Sequence, residues 1–237
     1  MISQYLRILV VAVIAASVVA SAKSPPHAKP FERFDGCVLE PDKWTDGDSF
    51  RVRLPDSRLT TFRLYFVDTT ESRSRGKRSD EQAAYFGFTR AEAVKLGKVA
   101  KAFTAAQLSQ PFTIQTRWRP VFGPTRYYAF VFTADGEDLA ELLVRNGLAR
   151  IYGTRTPAPD GRDSRQYRAR LMALERQAKS EGRGGWRLAQ HRAPLANYQS
   201  ARAPTRRLSA EPTTLPVSPL VEAYFGNPCL VDSCPPP

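Results

Sequence analysis

From residue 49 to 54 apolar and polar positions alternate, with Phe50, Val52 and Leu54 set against Ser49, Arg51 and Arg53. A period of two marks a strand with one buried face, and Pro55, Asp56, Ser57 and Arg58 behind it have turn composition. The alternation resumes at Phe62, Leu64 and Phe66, which turns Arg63 and Tyr65 to the other face; an arginine there is off the core and free to meet a ligand. A polar loop is expected over 72–82. The period then lengthens: Leu96, Val99, Ala100, Phe103 and Ala106 recur at helical spacing, and Thr89 with Glu92 forms a T-x-x-E box that sets the helix start. Residues 111–118 and 126–136 return to strand composition, the second ending in an Asp135-Gly136 turn. Leu139, Leu142 and Leu143 line a short helix capped by Gly147. "LARIY" (148–152) follows as a short strand. A last helix starts near Asp163, carries Tyr167, Leu171, Leu174 and Ala178 on one side, and stops at Gly182. With a first strand near 37–39 the core order is β-β-β-α-β-β-α-α. Five short strands with a helix after the third is the pattern of an OB-type barrel, an α+β fold.

The flanks lack such periods. Residues 1–22 hold Arg7, an apolar run from 8 to 20 interrupted by Ser17, and an Ala20-Ser21-Ala22 cleavage site. This is the form of a secretory signal peptide. The chain is expected to be exported, periplasmic or secreted, and to keep no stable membrane anchor, since the apolar run falls short of the roughly 20 residues that span a bilayer. Residues 23–33 read as a linker. Residues 187–237 contain nine of the 19 prolines and read as a mostly disordered tail. That leaves 34–186 as the folded unit, and a monomer is expected. Cys37, Cys229 and Cys234 are an odd set: the last two could close a small loop, or Cys37 could tether the tail.

Charge narrows the partners. A formal net charge of +12 favours a polyanion: nucleic acid, an acidic polysaccharide or an anionic membrane surface. Against that background three acids stand out. Asp48 opens the second strand, Asp68 closes the third, and Glu71 follows in the loop. If the two strands pair antiparallel, Asp48 and Asp68 converge at one edge beside turn carbonyls, an oxygen-only surrounding suited to a hard cation such as Ca²⁺. Glu71 is then placed to take a proton from a metal-adjacent water. Arg63 and Arg126 are candidates to bind phosphate oxygens through their planar forks. Taken singly, each has a plainer reading as a turn former or solvated strand residue; their joint placement gives them meaning. Trp118, between Arg117 and Arg119, is a candidate base-stacking platform or a core tryptophan. Tyr152 is a candidate substrate contact or a packing residue. Arg202, Arg206 and Arg207 could add nonspecific affinity that salt weakens. The only histidines, His27 and His191, lie in the flanks, which excludes mechanisms with a histidine base. There is no Walker A loop and no zinc spacing.

The run D-G-D-S at 46–49, then "FRLYFVDTTE", an arginine ahead of an aromatic strand, "LVRNGLARIY" and a final helix ending in Trp186 resembles the staphylococcal nuclease (thermonuclease) family over about 36–186. The resemblance implies an OB-fold barrel that hydrolyses DNA and RNA with Ca²⁺, by attack of water on phosphorus and cleavage of the P–O5′ bond. It further implies Asp48 and Asp68 as carboxylate ligands, the Thr69 carbonyl as a third ligand, Asp46 as a supporting acid, Glu71 as general base, and Arg63 and Arg126 as phosphate clamps. Thr70 stands where the family has proline, two residues separate Gly123 from Arg126 where the family has Tyr-Gly-Arg, and 72–108 is long. Relatives that keep the barrel but lose the acids imply an alternative, a non-catalytic module binding nucleic acid or another anionic polymer.

Overall fold

A computed structural model describes residues 29–43, 45–73, 76–122 and 125–190. The expected signal peptide, Gly123, most of the tail, Cys229, Cys234, His27 and His191 lie outside them. Among the described residues seven strands and five helices follow one another as β1 (Glu32–Glu40), β2 (Ser49–Arg53), β3 (Leu59–Leu64), β4 (Val67–Thr69), α1 (Gly76–Phe86), α2 (Arg90–Gln107), β5 (Phe112–Pro120), β6 (Arg126–Phe132), α3 (Leu139–Arg145), β7 (Ala149–Ile151), α4 (Ser164–Ser180) and α5 (Gly185–Gln190). Five strands close a barrel in the order β1-β2-β3-β6-β5, and β4 pairs with β7 in a small second sheet. The α+β, OB-type reading of the sequence is therefore correct. β2 and β3 pair antiparallel with Ser49 opposite Arg63, while β3 and β6 run parallel with Thr61 opposite Arg126.

The predicted alternation is what the barrel buries. Phe50, Val52, Phe62, Leu64, Ile114 and Val131 are all buried, in one cluster with Leu96, Val99 and Phe103 of α2 and Tyr167 and Leu171 of α4. Each such side chain contributes about 1.5–3 kcal/mol on burial. The Thr89–Glu92 capping box is present on α2, and a second box, Asp163 with Gln166, opens α4.

Four expectations need correction. The third strand is not continuous to Asp68: it stops at Leu64, and Phe66, with φ of 65°, turns the chain so that β4 leaves the barrel and pairs with β7. Phe66 is held there by backbone bonds from its N–H to the Thr154 carbonyl and to its own carbonyl from the Tyr152 N–H. Tyr65 is not on an open face; its ring lies 5.0 Å from that of Tyr128 in a stack and is buried. Residues 72–82 are not all loop, because α1 begins at Gly76. The barrel also starts within the expected linker, at Glu32. Cys37 is a buried free thiol that donates to the Phe34 carbonyl. No helix among the described residues is long and apolar enough to cross a membrane.

Candidate active site

Two loops meet on one face of α2. A side chain at Gly47 would put its Cβ 2.9 Å from both Ala100 Cβ and Thr69 Cγ2, and one at Gly97 would come within 2.5 Å of the Thr70 and Glu71 carbonyl oxygens. Both contacts are possible only without a side chain. Thr104 Oγ1 donates to the Gly47 carbonyl at 2.7 Å. The helix thus seats the 46–48 turn and the 69–71 turn side by side. Antiparallel pairing of β2 with β3 brings Arg63 to the same point from the barrel wall.

The carboxylates converge there. Arg63 Nη2 lies 2.7 Å from Asp48 Oδ2 and 2.6 Å from Asp68 Oδ1. Asp48 Oδ2 also accepts from the Thr69 N–H at 3.3 Å. Asp68, whose side chain is fully buried, accepts in addition from Arg78 at Oδ1 and from Gln82 Nε2 (3.0 Å) and Arg150 Nε (2.8 Å) at Oδ2. The two acids differ electrostatically. Burial pushes the Asp48 carboxyl up to about 7, against the pull of Arg63. Burial also works against the charge on Asp68, but Arg63, Arg78, Gln82 and Arg150 outweigh it and hold that carboxyl below its ordinary range. Opposite charge and hydrogen bonds favour the ionised form, and desolvation opposes it.

Glu71 lies at the mouth. Its carboxylate is 3.3 Å from Arg78 Nε, and burial, then the charge of Asp46, raise its pKa. Asp46 accepts from Ser72 through both N–H (3.3 Å) and Oγ (2.6 Å), so it fixes the loop just after Glu71. Arg126, at the start of β6, feels Arg63, Asp48 and Arg78 and is half-buried; its guanidinium makes no ion pair among the described residues. Tyr152 is 55% exposed, with the Arg150 guanidinium 4.3 Å above its ring, which puts it beside Asp68. Trp118 is different. Its ring packs against Phe34, Phe62 and Tyr127, and its indole N–H donates to Glu32. It is thus partly buried against the core, as its packing reading expects.

Three residues join the cluster that the sequence reading left out. Arg78 and Gln82 lie one turn apart on α1. Gln82 is wholly buried: Nε2 donates to Asp68 and, at 2.8 Å, to the Thr69 carbonyl, while Oε1 accepts from the Glu71 N–H at 3.0 Å. Arg150 sits opposite Asp68 in the β4–β7 ladder. Its place in the "LARIY" strand was the available signal, but its partner depends on that ladder.

The donors fit a hard cation. Two carboxylate oxygens grip one cationic nitrogen at 2.6–2.7 Å, and Ca²⁺ binds oxygen at about 2.3–2.6 Å. The shared nitrogen shows that the two carboxylates converge on one point, beside which a divalent cation could bind. Among the described residues no three His, Cys, Asp or Glu side chains gather as a metal cage; the pair needs a carbonyl, water and substrate oxygens to complete it.

A closed OB-type barrel carrying an acidic pair, a neighbouring carboxylate and converging arginines at one edge defines a nuclease-like protein. Residues 61–188 match the family described as staphylococcal nuclease homologue, and the chain belongs to that family. Asp46 and Asp48 precede the matched span and are tied to it by Arg63 and Ser72. No curated protein matches the chain.

Proposed function

We propose that this chain is an exported, Ca²⁺-dependent nuclease that hydrolyses phosphodiester bonds of DNA, RNA or both. The observation that carries the reading is the single nitrogen shared by Asp48 and Asp68, a cation cradle next to a carboxylate of raised basicity. Asp48, Asp68 and the Thr69 carbonyl would hold the metal. A bound Ca²⁺ would supply positive charge against a phosphoryl oxygen and acidify a water.

Glu71 takes the proton of the attacking water, and its raised pKa suits it to that task better than an ordinary carboxylate. Asp46 and Gln82 hold the loop on either side of it. Arg126 meets a non-bridging phosphate oxygen, and Arg63 reaches the same place from β3. The water oxygen bonds to phosphorus as the P–O5′ bond breaks, leaving the phosphate on the 3′ side, while O5′ departs as a hydroxyl with a proton taken from solvent water. Export rests on the features of residues 1–22.

The test is digestion of plasmid DNA and of RNA with Ca²⁺, with Mg²⁺ and with EDTA. Cleavage is expected with metal and absent with chelator; digestion that ignores the chelator overturns the mechanism. Glu71→Gln is expected to keep nucleic-acid binding and lose about 10²- to 10⁴-fold in turnover, the usual contribution of a general base. Unchanged turnover in that variant would remove Glu71 from the role.

A further inference from the structure

Arg78 is unlike the other cations of the site. Its guanidinium bridges the two acids with different tasks: Nη2 bonds Asp68 Oδ1, and Nε lies 3.3 Å from Glu71 Oε1. It shares that Asp68 oxygen with Arg63, so two guanidinium groups crowd one acceptor. A cation that binds Asp68 Oδ1 must displace one of them.

The two are not equally easy to displace. The Arg63 side chain is 11% exposed, binds two carboxylates, and is carried by a strand paired on both sides, to Ser49 and to Tyr128. The Arg78 side chain is 44% exposed and projects from α1, outside the barrel. An exposed ion pair is the easier one to break, whereas stripping a buried pair leaves an uncompensated charge. Arg78 also tethers Glu71, so once released it stays beside the water that Glu71 serves. A planar guanidinium in that position can grip a phosphodiester at two oxygens.

We propose that Arg78 is a displaceable counter-ion that occupies Asp68 while the metal site is empty and becomes a phosphate-binding residue when the metal enters. This rests on the nuclease reading above. It predicts two effects of opposite sign from one residue: Arg78 weakens metal binding and strengthens catalysis.

The experiment is Ca²⁺ titration calorimetry on the purified chain without nucleic acid, paired with single-turnover cleavage of DNA at saturating Ca²⁺. Arg78→Gln is expected to bind Ca²⁺ about tenfold more tightly, as removal of one competing charge from Asp68 implies. It is expected to cleave about 10²-fold more slowly, the usual cost of losing a donor to the transition state. Arg78→Lys keeps a competing charge but not the fork; it should bind Ca²⁺ like the wild type and still cleave slowly. Ca²⁺ affinity that is unchanged or weaker in Arg78→Gln overturns the counter-ion role, and full cleavage by that variant overturns the phosphate role. If the wild type itself takes up no Ca²⁺, the nuclease reading falls, and this one with it; if the wild type binds and Arg78→Gln matches it, only the Arg78 proposal falls.

Discussion

Two aspartates, Asp68 buried and Asp138 half-buried, meet opposite fates in this chain, and the contrast shows what decides a carboxyl group's charge. Asp68 is wrapped by three guanidinium groups and an amide and titrates below its ordinary range. Asp138 caps α3, accepting from the Ala140 and Glu141 N–H groups and from the Tyr167 hydroxyl at 2.7 Å, and makes no ion pair among the described residues. Burial pushes it up to about 6, with the Glu141 charge adding to the rise. The sign of its effect on folding follows. The folded state holds this proton more tightly than the unfolded chain, whose carboxyl sits at its ordinary value of 3.8. The contribution is thus fully present below that value and is lost as pH rises through about 6. Asp138→Asn keeps a capping oxygen and cannot ionise. Urea melts of the two proteins across this window should show the wild type losing ground to Asp138→Asn as pH rises. A difference that stays flat between about pH 4 and 7 would mean that the carboxyl is not held out of water.

At the scale of elements, α2 is the anvil on which the site is built. Gly97 lets it approach the Thr70 and Glu71 carbonyls so closely that even a methyl group would strike backbone. Gly97→Ala should gain about 0.8–1 kcal/mol of helix propensity yet lose more through forced displacement, about 1–3 kcal/mol for overpacking. The net expectation is a less stable protein with impaired cleavage, because Glu71 moves with the loop; a variant of raised urea midpoint and full activity would refute the close fit. The meeting of Asp48 with Arg63 was legible beforehand, because antiparallel pairing places the start of one strand beside the end of the next; Asp68 joins them from β4, beyond a break that the alternation does not show. Helix α1 was not legible. Its buried positions are Ser79, Gln82, Ala83 and Phe86, a sound helical spacing, but polar or small residues fill three of the four, so no apolar stripe appears. Gln82 and Arg78 were lost with it. The break at Phe66 was hidden for a different reason: a bulky residue in the left-handed region is held there by distant backbone partners, and nothing in its local sequence signals it.

For the molecule as a whole, the question is where the cationic excess acts. The segment after Gln190 holds Arg192, Arg202, Arg206 and Arg207 but also Glu211, Glu222 and Asp232, so four positive charges are met by three negative ones. Nearly all of the net +12 therefore belongs to residues before His191. Many arginines there are spent internally, on Asp35, Glu40, Asp56 or Glu141, for example. Others, such as Arg126, make no ion pair among the described residues and are available to an anionic polymer. Affinity for nucleic acid that depends on phosphate neutralisation falls linearly in log K against log salt, with a slope of about −0.7 to −0.9 per phosphate engaged. If the folded domain supplies these contacts, a chain ending at Gln190 should keep most of the slope shown by the full chain. Fluorescence anisotropy with a labelled single strand, using Glu71→Gln to prevent turnover, measures both slopes. Should truncation remove most of the salt dependence, the arginines between 192 and 207 are acting as a local cluster despite the balanced tail, and the polymer is gripped outside the barrel.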